Sequence, residues 1–145
     1  IEMNYKKAPF YIEMFSFFEV LINNPENNIV EYNSKAVLYI CEELGLGREK
    51  LFWSSKLAHE GDSNDLLVSL TKAVGGDTYM CGGGADGYQD ERVFAEGGIE
   101  VEPQNFTHPI YTQCNIDMFL PGLSIIDTLM CLGFGGTHKL LNRQL

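Results

Sequence analysis

Between Tyr79 and Tyr88 the chain reads YMCGGGADGY, in which Gly82, Gly84 and Gly87 have the spacing G-x-G-x-x-G. Where such a loop follows a strand and opens a helix, its free amides can cradle a phosphate. Glu102, twenty residues beyond Gly82, stands where a ribose-binding acid would belong. Against a dinucleotide, Asp86 lies inside the loop, where its carboxylate would repel a pyrophosphate, and a strand already precedes this one. Two readings stay open. In one, Gly82 to Gly84 supply positive φ in a strand-to-helix turn and Asp86 caps the helix. In the other, Gly82, Gly83, Gly84, Asp86 and Tyr88 face a substrate that is not a dinucleotide.

Three further groups of residues carry usable chemistry. Ser54 and Ser55 follow Trp53 and can hold a phosphate or a sugar hydroxyl, or cap the next turn. No G-x-S-x-G elbow surrounds them, so neither is read as a nucleophile. His108, Tyr111 and Gln113 form the densest polar and aromatic cluster, in a stretch without periodicity of the kind that often carries binding residues. His108 is a candidate general base or a hydrogen-bonded structural histidine. Ser124 and Asp127 open an otherwise apolar helix. Asp127 shares a face with Leu123 and Cys131 and is read as a buried carboxylate orienting a site residue, or as a charge complementing the helix dipole. The catalytic candidates are thus His108 and Asp127. With no ligand spacing among His59, His108 and His138, neither zinc nor any other cofactor is expected.

These residues need elements to position them. Phe10, Met14, Phe17, Phe18 and Leu21 recur at three and four after Pro9 and predict a helix ended by Asn23 to Pro25. The stripe reads as core or as an interface. A second helix is predicted from Ile29 to Leu44, the two forming a hairpin over residues 1–47. The grammar then alternates over residues 48–106: strand Leu51 to Ser54, helix Asn64 to Val74, strand Thr78 to Cys81, helix Tyr88 to Ala95, strand Ile99 to Glu102. Such βαβαβ alternation predicts an α/β fold, a parallel sheet with crossover helices whose ligands bind beyond the carboxyl ends of its strands. Residues 107–145 are expected as a loop, a helix from Leu123 to Leu132 and a polar tail, and the whole chain as one domain.

Composition limits the function classes. Of 145 residues, 20 are acidic and 10 basic, a formal net charge of −10 that opposes nucleic acid and anionic lipid. The densest basic site is Lys6 and Lys7. Glu19 and Asp127 interrupt apolar stretches already too short for a bilayer, so no membrane span is expected. Cys41, Cys81, Cys114 and Cys131 lie far apart in apolar surroundings and are read as buried free thiols in a reducing, cytoplasmic compartment.

Several segments together resemble the WbqC-like family: NYKKAPFY at Asn4 to Tyr11, WSS at Trp53 to Ser55, GGDTYMCGGGADGYQDERVF at Gly75 to Phe94, GIEVE at Gly98 to Glu102, HPIYTQ at His108 to Gln113 and FLPGLSIIDTLMCLG at Phe119 to Gly133. The chain departs from the family's usual loop with Cys81 for a serine and Tyr88-Gln89 for a Tyr-Leu pair. The resemblance implies that this is the C-terminal portion of a larger domain, whose front half would carry a Gln-Pro-x-Tyr-x-Pro-Trp-x-Gly-Tyr-Phe strand. Should that half be missing, part of the first helix's stripe would be exposed and self-association is expected. The resemblance also implies a role in bacterial surface-polysaccharide biosynthesis, the lipopolysaccharide O-antigen pathway. There it implies a transferase acting on a small-molecule substrate, a nucleotide sugar or an activated aminoacyl or acyl donor. A non-catalytic nucleotide- or sugar-binding module, or an assembly partner in the same pathway, is the alternative.

Overall fold

A computed structural model of the chain describes residues 1–83 and 88–142. The chain is α/β, with two compact units: residues 1–48 with 108–145, and residues 49–107.

The first unit is helical. It contains α1 (Glu2–Tyr5), α2 (Tyr11–Ile22), α3 (Ile29–Glu43) and the long α6 (Ile125–Leu141). The predicted stripe of α2 packs toward α6: Met14 and Phe18 are buried with Leu129 and Met130, while Phe17 meets Phe134 edge-on at 5.0 Å. Asn28 starts α3 by accepting the amides of Val30 and Glu31 at 2.9 and 3.2 Å, a side-chain N-cap. Only the end of the predicted α3 face is well covered. Leu44 is buried against the core and Ile40 packs at its edge, whereas Ile29 and Val37 are exposed.

The sequence expectation of a helix ending near Leu132 is corrected, because α6 runs on to Leu141 through a kink at Gly133. Gly133 has φ 64° and ψ −177°, a conformation essentially reserved for glycine, and a Cβ there would lie 2.7 Å from the Phe10 ring. The kink is held on both sides. The Phe10 amide donates to the Met130 carbonyl at 3.1 Å, and the Thr137 hydroxyl to the Gly133 carbonyl at 2.7 Å. His138, expected in a polar tail, instead contacts the Leu44 carbonyl through Nδ1 at 2.6 Å and Asn142 through Nε2 at 2.7 Å.

The second unit contains α4 (Ser63–Ala73), β1 (Thr78–Cys81), α5 (Glu91–Glu96) and β2 (Glu100–Pro103). The two strands pair in parallel, Thr78 opposite Glu100 and Cys81 opposite Pro103, so α5 is the crossover. Phe94, fully buried, stacks on Tyr79 at 5.3 Å and packs with Val68 and Ile99. Gly98, at φ 69°, lets the chain leave α5 sharply, with the Ile99 amide donating to the Phe94 carbonyl at 2.9 Å.

Two local expectations fail in this unit. Leu51 to Ser54 is not a strand; it leads into a 3-10 turn at Ser54–Lys56, with the Lys56 ammonium 5.7 Å from the Trp53 ring centre. Four apolar or small residues fix no period, and here local turn geometry wins. The helix expected from Tyr88 begins at Glu91, because Asp90 supplies the cap, accepting the Arg92 amide at 3.1 Å.

Candidate functional site

Asp127 is a buried carboxylate of the helical unit. It sits in the first turn of α6, whose N-cap Ser124 accepts the Ile126 amide at 3.3 Å. Asp127 is only 3% exposed and its carboxylate is bonded by a phenol. The Tyr111 hydroxyl donates to its Oδ2 at 2.6 Å, a short charge-assisted bond, and the Tyr5 phenol lies near enough to feel its charge. Burial first, and then the bond to Asp127, pushes both phenols above their ordinary pKa. They therefore stay protonated, and Tyr111 acts as the donor. A carboxylate buried without such donors would be strongly unfavourable.

Gln113, buried, fixes the segment that carries Tyr111. Its Oε1 accepts the Leu120 amide at 2.7 Å and its Nε2 donates to the Leu120 carbonyl at 2.8 Å, closing a loop of the chain with one side chain. The same Nε2 lies 3.4 Å from the Tyr111 hydroxyl. Phe119 packs edge-on against the Tyr111 ring at 5.6 Å. The Asn115 amide donates to the Asn4 carbonyl at 2.9 Å, tying this loop to α1.

An open cleft of about 530 Å³ lies beside this network, lined by Met3, Tyr5, Lys6, Lys7, Asn115 and Asp127 among others. Lys6 and Lys7 are exposed, and among the described residues neither is ion-paired. Cys114 also lines the cleft, and its Sγ stands 3.0 Å from the Sγ of buried Cys131. Burial above all, then the bond to Cys114, pushes the Cys131 thiol up to about 12. One cleft therefore presents two cations, a carboxylate edge, a thiol and the Tyr5 phenol, with the Tyr111 phenol and the Gln113 amide behind them. Such a set can hold an anionic group at one end and accept a hydrogen bond from a hydroxyl or amine at the other.

Of the residues singled out by sequence, the structure brings Tyr111, Gln113 and Asp127 into one network and gives Ser124 the role of helix cap. His108 is in the same unit but is exposed and outside the cleft lining. Ser54, Ser55, Gly82, Gly83 and Tyr88 belong to the other unit, all exposed. Gly82 and Gly83 do not have positive φ, and among the described residues nothing lies within 4 Å of where a Cβ would be, which corrects the expectation that these two are needed for a strained turn. Gly84 and Asp86 lie outside the described residues. Sequence reasoning missed Tyr5, Lys6 and Lys7 as site residues, although the run NYKK was already distinctive, and it missed the meeting of Cys114 with Cys131. All four cysteines are free thiols, but only Cys131 is buried.

Fold and geometry together define an α/β chain with a phenol-held carboxylate at the wall of a lysine-bearing cleft. The chain belongs to the WbqC-like protein family, whose model matches residues 1–139. It is 28% identical over 136 residues to Rv1507c, an uncharacterized protein of Mycobacterium tuberculosis, an alignment covering 92% of this chain and 58% of that protein. The chain thus spans under two thirds of that relative's length. No solved structure gives a significant match. Among the described residues no helix is long and apolar enough to cross a membrane.

Proposed function

We propose that the chain acts in the cytoplasm as a transferase of bacterial surface-polysaccharide (O-antigen) assembly, with the cleft beside Asp127 as the site for an activated sugar, aminoacyl or acyl donor. The observation that carries this reading is the pairing, in one cleft, of two exposed lysines with a buried carboxylate held by the Tyr111 phenol. In a chain of net charge −10, an anionic donor needs such a local reversal of the field. The motifs shared with the WbqC-like family support the pathway. Lys6 and Lys7 pair with the donor's phosphate and hold the charge it carries away as leaving group. Asp127 accepts the hydrogen bond of the acceptor hydroxyl or amine and takes its proton as the new bond to the donor carbon forms. Gln113 and Tyr111 position that carboxylate.

The test is a thermal-shift series with nucleotide sugars, aminoacyl donors and acyl donors, followed by an assay for leaving-group release with acceptor present. One donor class is expected to raise Tm, and Lys6→Ala/Lys7→Ala to weaken its binding about 10- to 100-fold, the loss of one or two charge-assisted contacts. Asp127→Asn is expected to bind donor but release nothing. Binding without release in the unaltered protein would turn the reading into a binding module, and the absence of binding by every donor would end it.

A further inference from the structure

We infer that Cys114 and Cys131 form an oxidisable dithiol in the wall of the cleft, closed to an intramolecular disulfide by a peroxide. The pairing is built by the fold. Cys131 lies on α6 one turn beyond Asp127, and Cys114 directly follows the buried Gln113 that locks its segment through Leu120. The two sulfurs are 3.0 Å apart, already in contact and about 1 Å from the length of a disulfide bond. Their accessibilities differ in the way a two-step oxidation needs. Cys114 lines the open cleft, whereas Cys131 is buried at 6% exposure and is not part of the cleft lining.

The chemistry balances with the peroxide as sole oxidant. Cys114 sulfur attacks the O–O bond and becomes a sulfenic acid, the peroxide being reduced to an alcohol, or to water for hydrogen peroxide itself. Cys131 sulfur then attacks the sulfenic sulfur; the S–S bond forms, the S–O bond breaks, and hydroxide leaves with the Cys131 proton as water. A thiol such as glutathione restores both groups by exchange. The bridge would fasten the loop bearing Gln113 and Asn115 to α6 beside Asp127, changing the cleft wall. Nothing in this depends on which substrate the cleft receives.

Hydrogen peroxide is the probe. After treatment, alkylation and digestion, the expected product is a single Cys114–Cys131 cross-linked peptide. Intact protein loses two hydrogens in mass and two of its four free thiols, and dithiothreitol reverses both changes. In Cys131→Ser the reaction should stop at Cys114, trapped by dimedone as the sulfenic acid; Cys131→Ala serves equally if serine is poorly accepted at the buried position. Overturning results are a wild-type protein whose four thiols all survive, or a disulfide through Cys41 or Cys81. Dimedone labelling of Cys131 ahead of Cys114 would equally sink the assignment.

Discussion

Replacing Tyr111 with Phe removes one oxygen from the centre of the network and leaves its ring packing against Phe119 intact. The lost bond is short, 2.6 Å, and ends on a carboxylate that is 3% exposed, so it belongs to the charge-assisted class contributing about 1.5–3 kcal/mol. The Tyr5 phenol remains beside Asp127, so the carboxylate keeps a polar neighbour and the lower part of that range applies, about 2 kcal/mol. In urea this is a midpoint shift of about 1 M at unchanged slope. A double-mutant cycle with Asp127→Asn should return most of that energy as coupling, since each variant removes the same charge-assisted bond. The alkaline limb gives a second reading. Both phenols have folded pKa values above the ordinary 10.0, so the fold favours their neutral forms. Their contribution is complete below about pH 10 and is lost as pH climbs through the folded values. Tyr111→Phe should therefore flatten the fall in stability at high pH. Wild-type stability in Tyr111→Phe, with coupling below about 0.5 kcal/mol, would refute the claim that the phenol holds the carboxylate.

Other perturbations test separate parts of the account. Gly133→Ala should cost about 3 kcal/mol in denaturant unfolding, from strain at φ 64° and the collision with Phe10; a cost under about 1 kcal/mol would mean the kink relaxes freely. Phe94→Ala should remove about 3–5 kcal/mol from the unit that contains the sheet, its ring being fully buried on Tyr79 and Val68. His108→Ala is expected to leave turnover within about twofold, because His108 stands outside the cleft lining; a loss of about 100-fold would restore it as a general base. Ile12 and Val20, 83% and 71% exposed on α2, predict self-association that Ile12→Glu/Val20→Glu abolishes in light scattering coupled to size exclusion.

What the sequence made legible follows the reach of its signals. The three-and-four pattern of Met14, Phe17, Phe18 and Leu21 located α2, and the run TYMC located β1 to the residue. Asp127 was legible as a buried carboxylate because a charge on the apolar face of a helix needs a partner. Its partners were not legible. Tyr111 is sixteen residues upstream and Tyr5 lies at the other end of the chain, so nothing local records that the three meet. The same holds for Cys114 and Cys131, seventeen residues apart without any motif spacing. Gly133 is a difference of another kind: a glycine followed two residues later by Gly135-Gly136 reads as a helix stop, and the tertiary contact with Phe10 together with the local Thr137 bond carries the helix through.

The glycine loop and the carboxylate network make opposite uses of sequence. Glycine spacing draws attention because each glycine is cheap to recognise, yet Gly82 and Gly83 have no backbone conformation that demands glycine. Asp127 draws less attention, yet every group around it is committed: Tyr111 by its 2.6 Å bond, Gln113 by Leu120, Ser124 by the helix cap. Chemistry needs groups held in place before substrate arrives, because orientation achieved in advance does not have to be achieved during reaction. By that criterion the cleft at Asp127 is the better candidate, and the exposed Lys6 and Lys7 beside it make an anionic ligand the first to offer.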